Sequence, residues 1–264
     1  MTDAGIAAGD RVVEIGAGLG SLTVALAAVG AEVLAVEYDR GLVRALEEVT
    51  ADLPSVRVVH ADAMKLDWEG ELGEAGVRGD GDGDGDLDGD VDRDARDRAP
   101  WTLCANLPFN IAVPLLLDTL AGVPAIGRWV VMVQREVGER LVAVPGDEHF
   151  GAVSLRVAYG ASASMARRVP ATVFWPRPKV DSVVVRLDRL EAPPVGVEQR
   201  SLWRVVDGAF AERRKTMRNA LRRLGFDAGE ADDVLANAGV APNARPEELD
   251  LETFAAIAEQ VRAP

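Results

Sequence analysis

Four consecutive residues, Asn106-Leu107-Pro108-Phe109, combine groups that could activate a weak amine nucleophile. An amine attached to an aromatic ring, such as the exocyclic amine of adenine, has its lone pair delocalised into the ring. Two acceptors set on its hydrogens would draw them out of the ring plane and restore nucleophilic character. The Asn106 side-chain oxygen and the Leu107 backbone carbonyl are two such acceptors. Pro108 locks its own φ at roughly −65° and so fixes the turn that aims the carbonyl. Phe109 offers a ring face to a base, a stacking contact worth about 1–3 kcal/mol. In-line attack of such an amine on a sulfonium methyl needs positioning more than a strong base, because the amine sheds its proton after it becomes cationic. In isolation the same four residues also describe an asparagine capping a proline turn.

Three further features sit where a strand pattern gives way to a turn. Gly16-Ala17-Gly18-Leu19-Gly20 follows the apolar run Arg11–Ile15 and opens a helical pattern. Glycines allow a tight turn and close backbone approach to a ligand, and a helix start favours polar or anionic groups. Glu37 lies 21 residues after Gly16 at the end of a second strand pattern, where a carboxylate can accept from both hydroxyls of a ribose. Asp62 follows a third strand pattern, Val56–His60, where it can accept from an adenine amine. Singly, each is also a tight turn, a surface carboxylate or a helix cap. Together they describe a cofactor that carries a nucleoside. Their spacing does not separate NAD from S-adenosylmethionine; the Asn106 tetrad favours the methyl donor.

These residues must be positioned by alternating strands and helices. Strand patterns at 11–15, 32–37, 56–60, 101–105 and 129–134 are interleaved with helical patterns at about 21–29, 40–50 and 112–120, and a further strand covers 181–187. Such alternation predicts an α/β fold with a mostly parallel sheet, whose ligands bind at the carboxyl ends of the strands; joined to the methyl donor that the tetrad favours, it reads as a Rossmann-like methyltransferase domain. Residues 191–198, rich in Pro and Glu, read as a linker. Beyond them the apolar positions recur at helical steps from Leu202 to Leu224 with a gap at Arg213-Arg214, and shorter helices follow near 228–238 and 246–261. The expected division is a methyltransferase domain over 1–190 and a small helical domain over 191–264.

Charge is unevenly spread. The net charge of −14 argues against a nucleic-acid binder at first sight. Residues 79–98, however, hold nine Asp and three Arg, whereas residues 200–223 hold eight Lys or Arg against Asp207 and Glu212. The acidic stretch is a low-complexity insert that cannot bury apolar surface. Asp84, Asp86, Asp88, Gly89, Asp90 and Asp92 match the early positions of a calcium-binding loop, but Ala95 stands where its bidentate Glu belongs, so no metal site is expected. The basic stretch, with Arg214, Arg218 and Arg222 four apart, predicts a nucleic-acid face. The single Cys104 excludes an internal disulfide framework. There is no apolar run of the roughly 18–20 residues that span a bilayer, and no signal peptide pattern at Met1–Gly5. A cytoplasmic protein with no membrane partner is the expectation.

Longer motifs carry a resemblance. Glu14–Gly20, Asn106–Ile111, Gln134–Val137, Phe174–Ser182 and Phe210–Asn219 resemble the ribosomal RNA adenine N6-dimethyltransferase family, in particular its bacterial small-subunit branch, whose loss gives kasugamycin resistance. The similarity runs from about Gly9 to about Ile257 and is broken only by the acidic insert. It implies S-adenosylmethionine as cofactor, with contacts at Gly16, Gly18, Glu37, Asp62 and Asn106. It also implies that Phe174 covers the second face of a flipped base, alongside the catalytic Asn106, Leu107, Pro108 and Phe109. The implied RNA-binding residues are Arg213, Arg214, Lys215, Arg218 and Arg222. The implied reaction is dimethylation of two adjacent adenosines in a hairpin loop near the 3′ end of 16S rRNA, on an immature 30S subunit, by a monomer. Two departures stand out. The family has roughly thirty residues before its first strand, including a Gln-Asn-Phe-Leu-type segment, where here there are about ten; and Ala158 stands where the branch commonly has Gln. Two alternatives remain open at this level: the macrolide-resistance branch, which acts on large-subunit RNA, and a non-catalytic ribosome-assembly factor.

Overall fold

The computed structural model describes residues 5–74, 100–108, 111–212 and 215–261. The acidic insert and its calcium-like spacing therefore lie outside the described residues.

Seven strands form one sheet in the order β3-β2-β1-β4-β5-β7-β6. They are β1 (Arg11–Ile15), β2 (Glu32–Glu37), β3 (Val56–His60), β4 (Trp101–Asn106), β5 (Ile126–Gln134), β6 (Ala161–Val169) and β7 (Ser182–Arg189). The pairs β1/β2, β2/β3, β1/β4 and β4/β5 are parallel, and β5/β7 is antiparallel. The helices α1 (Ser21–Ala28), α2 (Arg40–Thr50), α3 (Trp68–Glu74) and α4 (Ala112–Gly122) connect the parallel strands. The mostly parallel α/β architecture expected from the alternation is thus present. The central strands are near-continuous apolar runs, as strands covered on both faces must be: Val12, Val13, Leu34, Ala35, Leu103, Val131 and Val133 are buried.

Chain order explains where a ligand can bind. β1, β2 and β3 step outward in one direction, and the chain then returns to lay β4 on the other side of β1. That reversal leaves a crevice outside the carboxyl ends of β1 and β4.

One arginine secures the returning layer. Arg189, at the end of β7, donates to the carbonyls of Thr119 (3.3 Å), Leu120 (2.8 Å), Val123 (2.9 Å) and Ile126 (2.7 Å). These carbonyls lie at the end of α4 and the start of β5; Thr119 O and Val123 O also accept from Val123 and Ile126 N–H at 3.1 Å each, and a cation there complements the helix dipole. Its guanidinium stacks on Trp129 at 4.9 Å, and Trp129 Nε1 donates to Thr119 Oγ1 at 3.0 Å.

The chain divides into two compact units, 1–135 with 164–189, and 136–163 with 190–264. The second contains α5 (Arg135–Val142) beyond its first residue, α6 (Ala152–Gly160), α7 (Gln199–Phe210), α8 (Met217–Arg223), α9 (Ala228–Asn237) and α10 (Leu251–Gln260). This differs from a simple boundary at 190/191, because residues 136–163 group with the C-terminal helices. The reason is packing. Phe150 and Leu155 share a core with Leu202, Val206, Leu221 and Phe254, and Phe210 stands between Phe150 and Phe254 with ring centroids 6.3 and 6.0 Å away. Arg156 on α6 also pairs with Asp207 on α7 at 2.7 Å. The helical run from Leu202 to Leu224 is two helices, with α7 ending and α8 beginning on either side of Arg213-Arg214.

Candidate active site

The glycine turn, Glu37, Asp62 and Asn106 all leave the sheet at one edge. Ile15 pairs with Val36 on one side and Ala105 on the other, and Glu37 pairs with His60. The residues at the ends of β3, β2, β1 and β4 therefore follow one another along that edge.

The turn after β1 is built from left-handed glycines. Gly16 has φ 72°, and its N–H donates to Val36 O at 2.9 Å. A Cβ on Gly16 would lie 4.0 Å from Pro108 Cδ, so the glycine turn and the Asn106 tetrad face each other across the crevice. Gly20 has φ 83°, and a Cβ there would come within 2.9 Å of Leu46 Cδ1. The left-handed φ favours glycine here, and a side chain would also press on Leu46 of α2.

Glu37 is buried, and its carboxylate is held by three backbone N–H groups. Oε2 accepts from Gly18 at 2.9 Å, and Oε1 accepts from Tyr38 and Asp39 at 2.8 Å each. A carboxylate has about four lone-pair sites, so the group is oriented while keeping acceptor capacity. Asp62 is half-buried; its Oδ1 accepts from Met64 N at 3.0 Å, and Lys65 Nζ lies 3.9 Å from Oδ2.

Asn106 is the last residue of β4 and is exposed. Leu107 extends the pairing one residue further, its N–H donating to Met132 O at 3.2 Å while its side chain is buried. Pro108 O accepts from Ile111 and Ala112 N–H at 3.2 and 3.1 Å, which starts α4. The backbone of Leu107 and Pro108 is thus tied to β5 on one side and to α4 on the other. Phe109 lies outside the described residues. Phe174 is half-buried on the loop between β6 and β7, which rejoins the sheet where Ser182 pairs with Gln134 at the carboxyl end of β5.

Sequence reasoning missed a buried carboxylate beneath the turn. Glu14, 2% exposed on β1, accepts from Thr23 Oγ1 of α1 at 2.6 Å. Burial pushes its carboxyl from an ordinary 4.5 up to about 7, against the Thr23 hydrogen bond and with help from the charge of Glu37. Burial with the nearby Glu14 also raises the Cys104 thiol, to about 12. The visible signal was a charge inside the apolar run Val12-Val13-Glu14-Ile15. Because the folded value is raised, the stability it contributes is complete below pH 4.5 and falls as pH rises to about 7. The loss over that window is roughly 3 kcal/mol. Glu14→Gln is expected to flatten this part of the melting temperature–pH curve. An unchanged slope in the variant would assign the dependence elsewhere.

Three exposed apolar side chains that the sequence reading also passed over follow strands at the same edge. Leu19, Tyr38 and Met64 follow β1, β2 and β3 and are 64, 72 and 38% exposed.

In the second unit, Lys215 and Arg222 are exposed, and Arg213 and Arg214 lie outside the described residues. Arg218 is half-buried and engaged by Asp232 through two contacts, 2.6 and 2.7 Å, so much of its charge is neutralised within the fold. A surface cavity of about 490 Å³ is lined by Lys215, Asn219, Arg222, Arg223 and Phe226 among others. Arg223, which the sequence reading did not single out, pairs with Glu212 at 2.6 Å.

Among known proteins, a family model described as ribosomal RNA adenine dimethylase matches residues 2–262. A ribosomal RNA small subunit methyltransferase A from Moorella thermoacetica is 42% identical over 256 residues, covering 96% of this chain and 83% of the relative. The protein of that name from Thermobifida fusca is also 42% identical, covering 95% of this chain and 80% of its own length. A crystal structure of a dimethyladenosine transferase from Plasmodium falciparum shares the fold, with a TM-score of 0.73 at 22% identity, covering 97% of this chain and 91% of that one. The match across almost the whole length, with the motifs lying on one sheet edge, identifies the chain as a member of the ribosomal RNA adenine dimethylase family.

Proposed function

We propose that this chain uses S-adenosylmethionine to dimethylate the N6 amines of two adjacent adenosines in a 3′-terminal hairpin loop of 16S rRNA, acting on an immature 30S subunit in the cytoplasm as a monomer. The observation that carries this reading is the approach of the glycine turn to the Asn106 tetrad at the β1/β4 crevice, where Gly16 and Pro108 are neighbours. Similarity over almost the whole of this chain to proteins named small subunit methyltransferase A supports the choice of RNA.

The residues present fit the cofactor. The glycine turn keeps side chains out of the crevice, and Glu37 is already oriented by backbone N–H groups at the ribose position. Asp62 would accept from the adenine amine, and Leu19, Tyr38 and Met64 offer apolar surface to a flat base. When bound, S-adenosylmethionine supplies an electrophilic sulfonium methyl. The chain's part is to hold the acceptor amine in line with it. Asn106 Oδ1 and the Leu107 carbonyl accept its two hydrogens, Pro108 fixes that carbonyl, and Phe109 and Phe174 enclose the extruded base. Extrusion costs a few kcal/mol that stacking returns.

Methylation assays on isolated 30S and 50S particles test the target: label on 30S is expected, and label confined to 50S would move the chain to the macrolide-resistance type. RNA binding by the second unit is assigned to Arg213, Arg214, Lys215 and Arg222, with Arg218 contributing less because of Asp232. Replacing Lys215 and Arg222 together by Ala is expected to weaken 30S binding. It should also flatten log Kd against log salt by about 0.7–0.9 for each phosphate that the variant no longer neutralises. Cofactor affinity should not change. An unaltered salt slope would remove both residues from the interface.

A further inference from the structure

Of the five tryptophans, Trp101 and Trp129 are buried, Trp68 and Trp203 are half-buried, and Trp175 is 98% exposed. No aromatic or cation–π contact among the described residues uses its ring. Val173 and Val180 on the same loop are 64 and 45% exposed, so the apolar surface is contributed by several residues of one segment. Between them stand Arg177 and Lys179, both exposed and without an ion-pair partner among the described residues. In a chain of net charge −14, residues 170–180 contain no acidic residue at all.

The loop is stiff and anchored. Pro170, Pro176 and Pro178 restrict its backbone. Asp181 closes its base: Oδ1 accepts from Ala171 N at 3.0 Å, and its backbone carbonyl accepts from Arg135 N at 3.0 Å. Little backbone freedom therefore remains to be lost when the loop meets a partner. The loop also joins the sheet at the same edge as the tetrad. Ser182 pairs with Gln134, while Asn106 pairs with Met132 on the same strand, β5. Strands β4 and β7 are two steps apart, about 10 Å at the usual strand spacing.

We propose that Trp175 stacks on an unpaired RNA base other than the one being methylated, with Arg177 and Lys179 contacting the flanking phosphates. This rests on the RNA dimethylase reading above and adds a second base-holding position to it. An aromatic ring beside exposed cations suits a splayed single strand, because every base has a π-face and every linkage a negative charge. Three exposed apolar side chains are a small area for a lipid surface, and no helix among the described residues is long and apolar enough to cross a membrane.

The experiment titrates the full chain, saturated with S-adenosylmethionine, with a hairpin RNA whose loop carries two adjacent adenosines. Tryptophan emission should be quenched, and the quench should vanish in Trp175→Phe while hairpin affinity stays within about three-fold of wild type. Trp175→Ala should weaken hairpin affinity by about ten-fold or more, with cofactor affinity and melting temperature unchanged. A wild-type protein that binds and methylates the hairpin with no quench, and equally well as Trp175→Ala, would overturn this inference and leave the proposed function standing. Failure of the wild type to bind or methylate any ribosomal RNA would overturn both. A blue shift of Trp175 emission on phosphatidylserine vesicles, with no response to RNA, would assign the loop to membranes and also overturn it.

Discussion

Asn106→Ala is expected to lower the rate of methyl transfer by about 10²–10³-fold or more, the range seen when one preorganised polar group is removed from a reacting centre. Binding of 30S particles should be unaffected, and cofactor affinity should change by no more than a few-fold. The asymmetry follows from the geometry. Asn106 ends β4 and is exposed, so its side chain supports no part of the core. The backbone of Leu107 and Pro108 is held independently, by Leu107 N–H on Met132 O and by Pro108 O on the first turn of α4. The variant should therefore keep the turn, the Leu107 carbonyl and the stacking surfaces while losing one of two acceptors on the amine. With one acceptor the nitrogen lone pair stays largely conjugated with the ring. Single-turnover rates with pre-bound cofactor and 30S particles isolate the step. Near-normal turnover would refute the role assigned to Asn106.

Glu37→Ala should act on the other substrate, raising the Kd for S-adenosylmethionine by about 100-fold, as expected for the loss of hydrogen bonds to a charged acceptor at about 1.5–3 kcal/mol each. Two effects combine. The proposed acceptor for the ribose hydroxyls is removed, and the N–H groups of Gly18, Tyr38 and Asp39 lose their common partner. The Gly18 bond joins the β1 turn to the end of β2, so its loss frees the middle of the glycine turn although Gly16 and Gly20 remain bonded to Val36 and Ala17. The variant should also melt lower than wild type, unlike Asn106→Ala. Calorimetric titration with the cofactor measures the first effect; a Kd within about three-fold of wild type would exclude Glu37 from the cofactor site.

Both arguments use residues found from their types and spacing. Motifs that end strands were legible because a parallel sheet imposes a regular order: apolar run, turn, helix. Gly16, Glu37, Asp62 and Asn106 each sit at such a junction, and the chemistry open to each residue type can be named without coordinates. Less legible were elements with weak patterns. β6, Ala161–Val169, is mostly small or charged and largely exposed, so it carries no alternation to detect. Glu14 was passed over because an acid inside a strand reads as an exception until its partner Thr23, nine residues on, is brought underneath it by the turn into α1.

What the sequence determined by itself was the set of groups: two carboxylates at strand ends, a glycine turn, the Asn106 tetrad and a basic helical stretch, together with the parallel α/β class. What only the tertiary structure decided was which of these meet and which are already spent. The return of β4 to the free side of β1 brings Pro108 beside Gly16, an approach of two residues far apart in the chain that no local pattern encodes. Packing of Phe150 and Leu155 against Phe210 and Phe254 moves residues 136–163 into the C-terminal unit. Ion pairing with Asp232 takes up Arg218, while Trp175 is left with its ring in solvent. Long-range packing decides these matters because burial and charge neutralisation depend on neighbours in space, and the residue types alone fix only what each side chain can do once it has them.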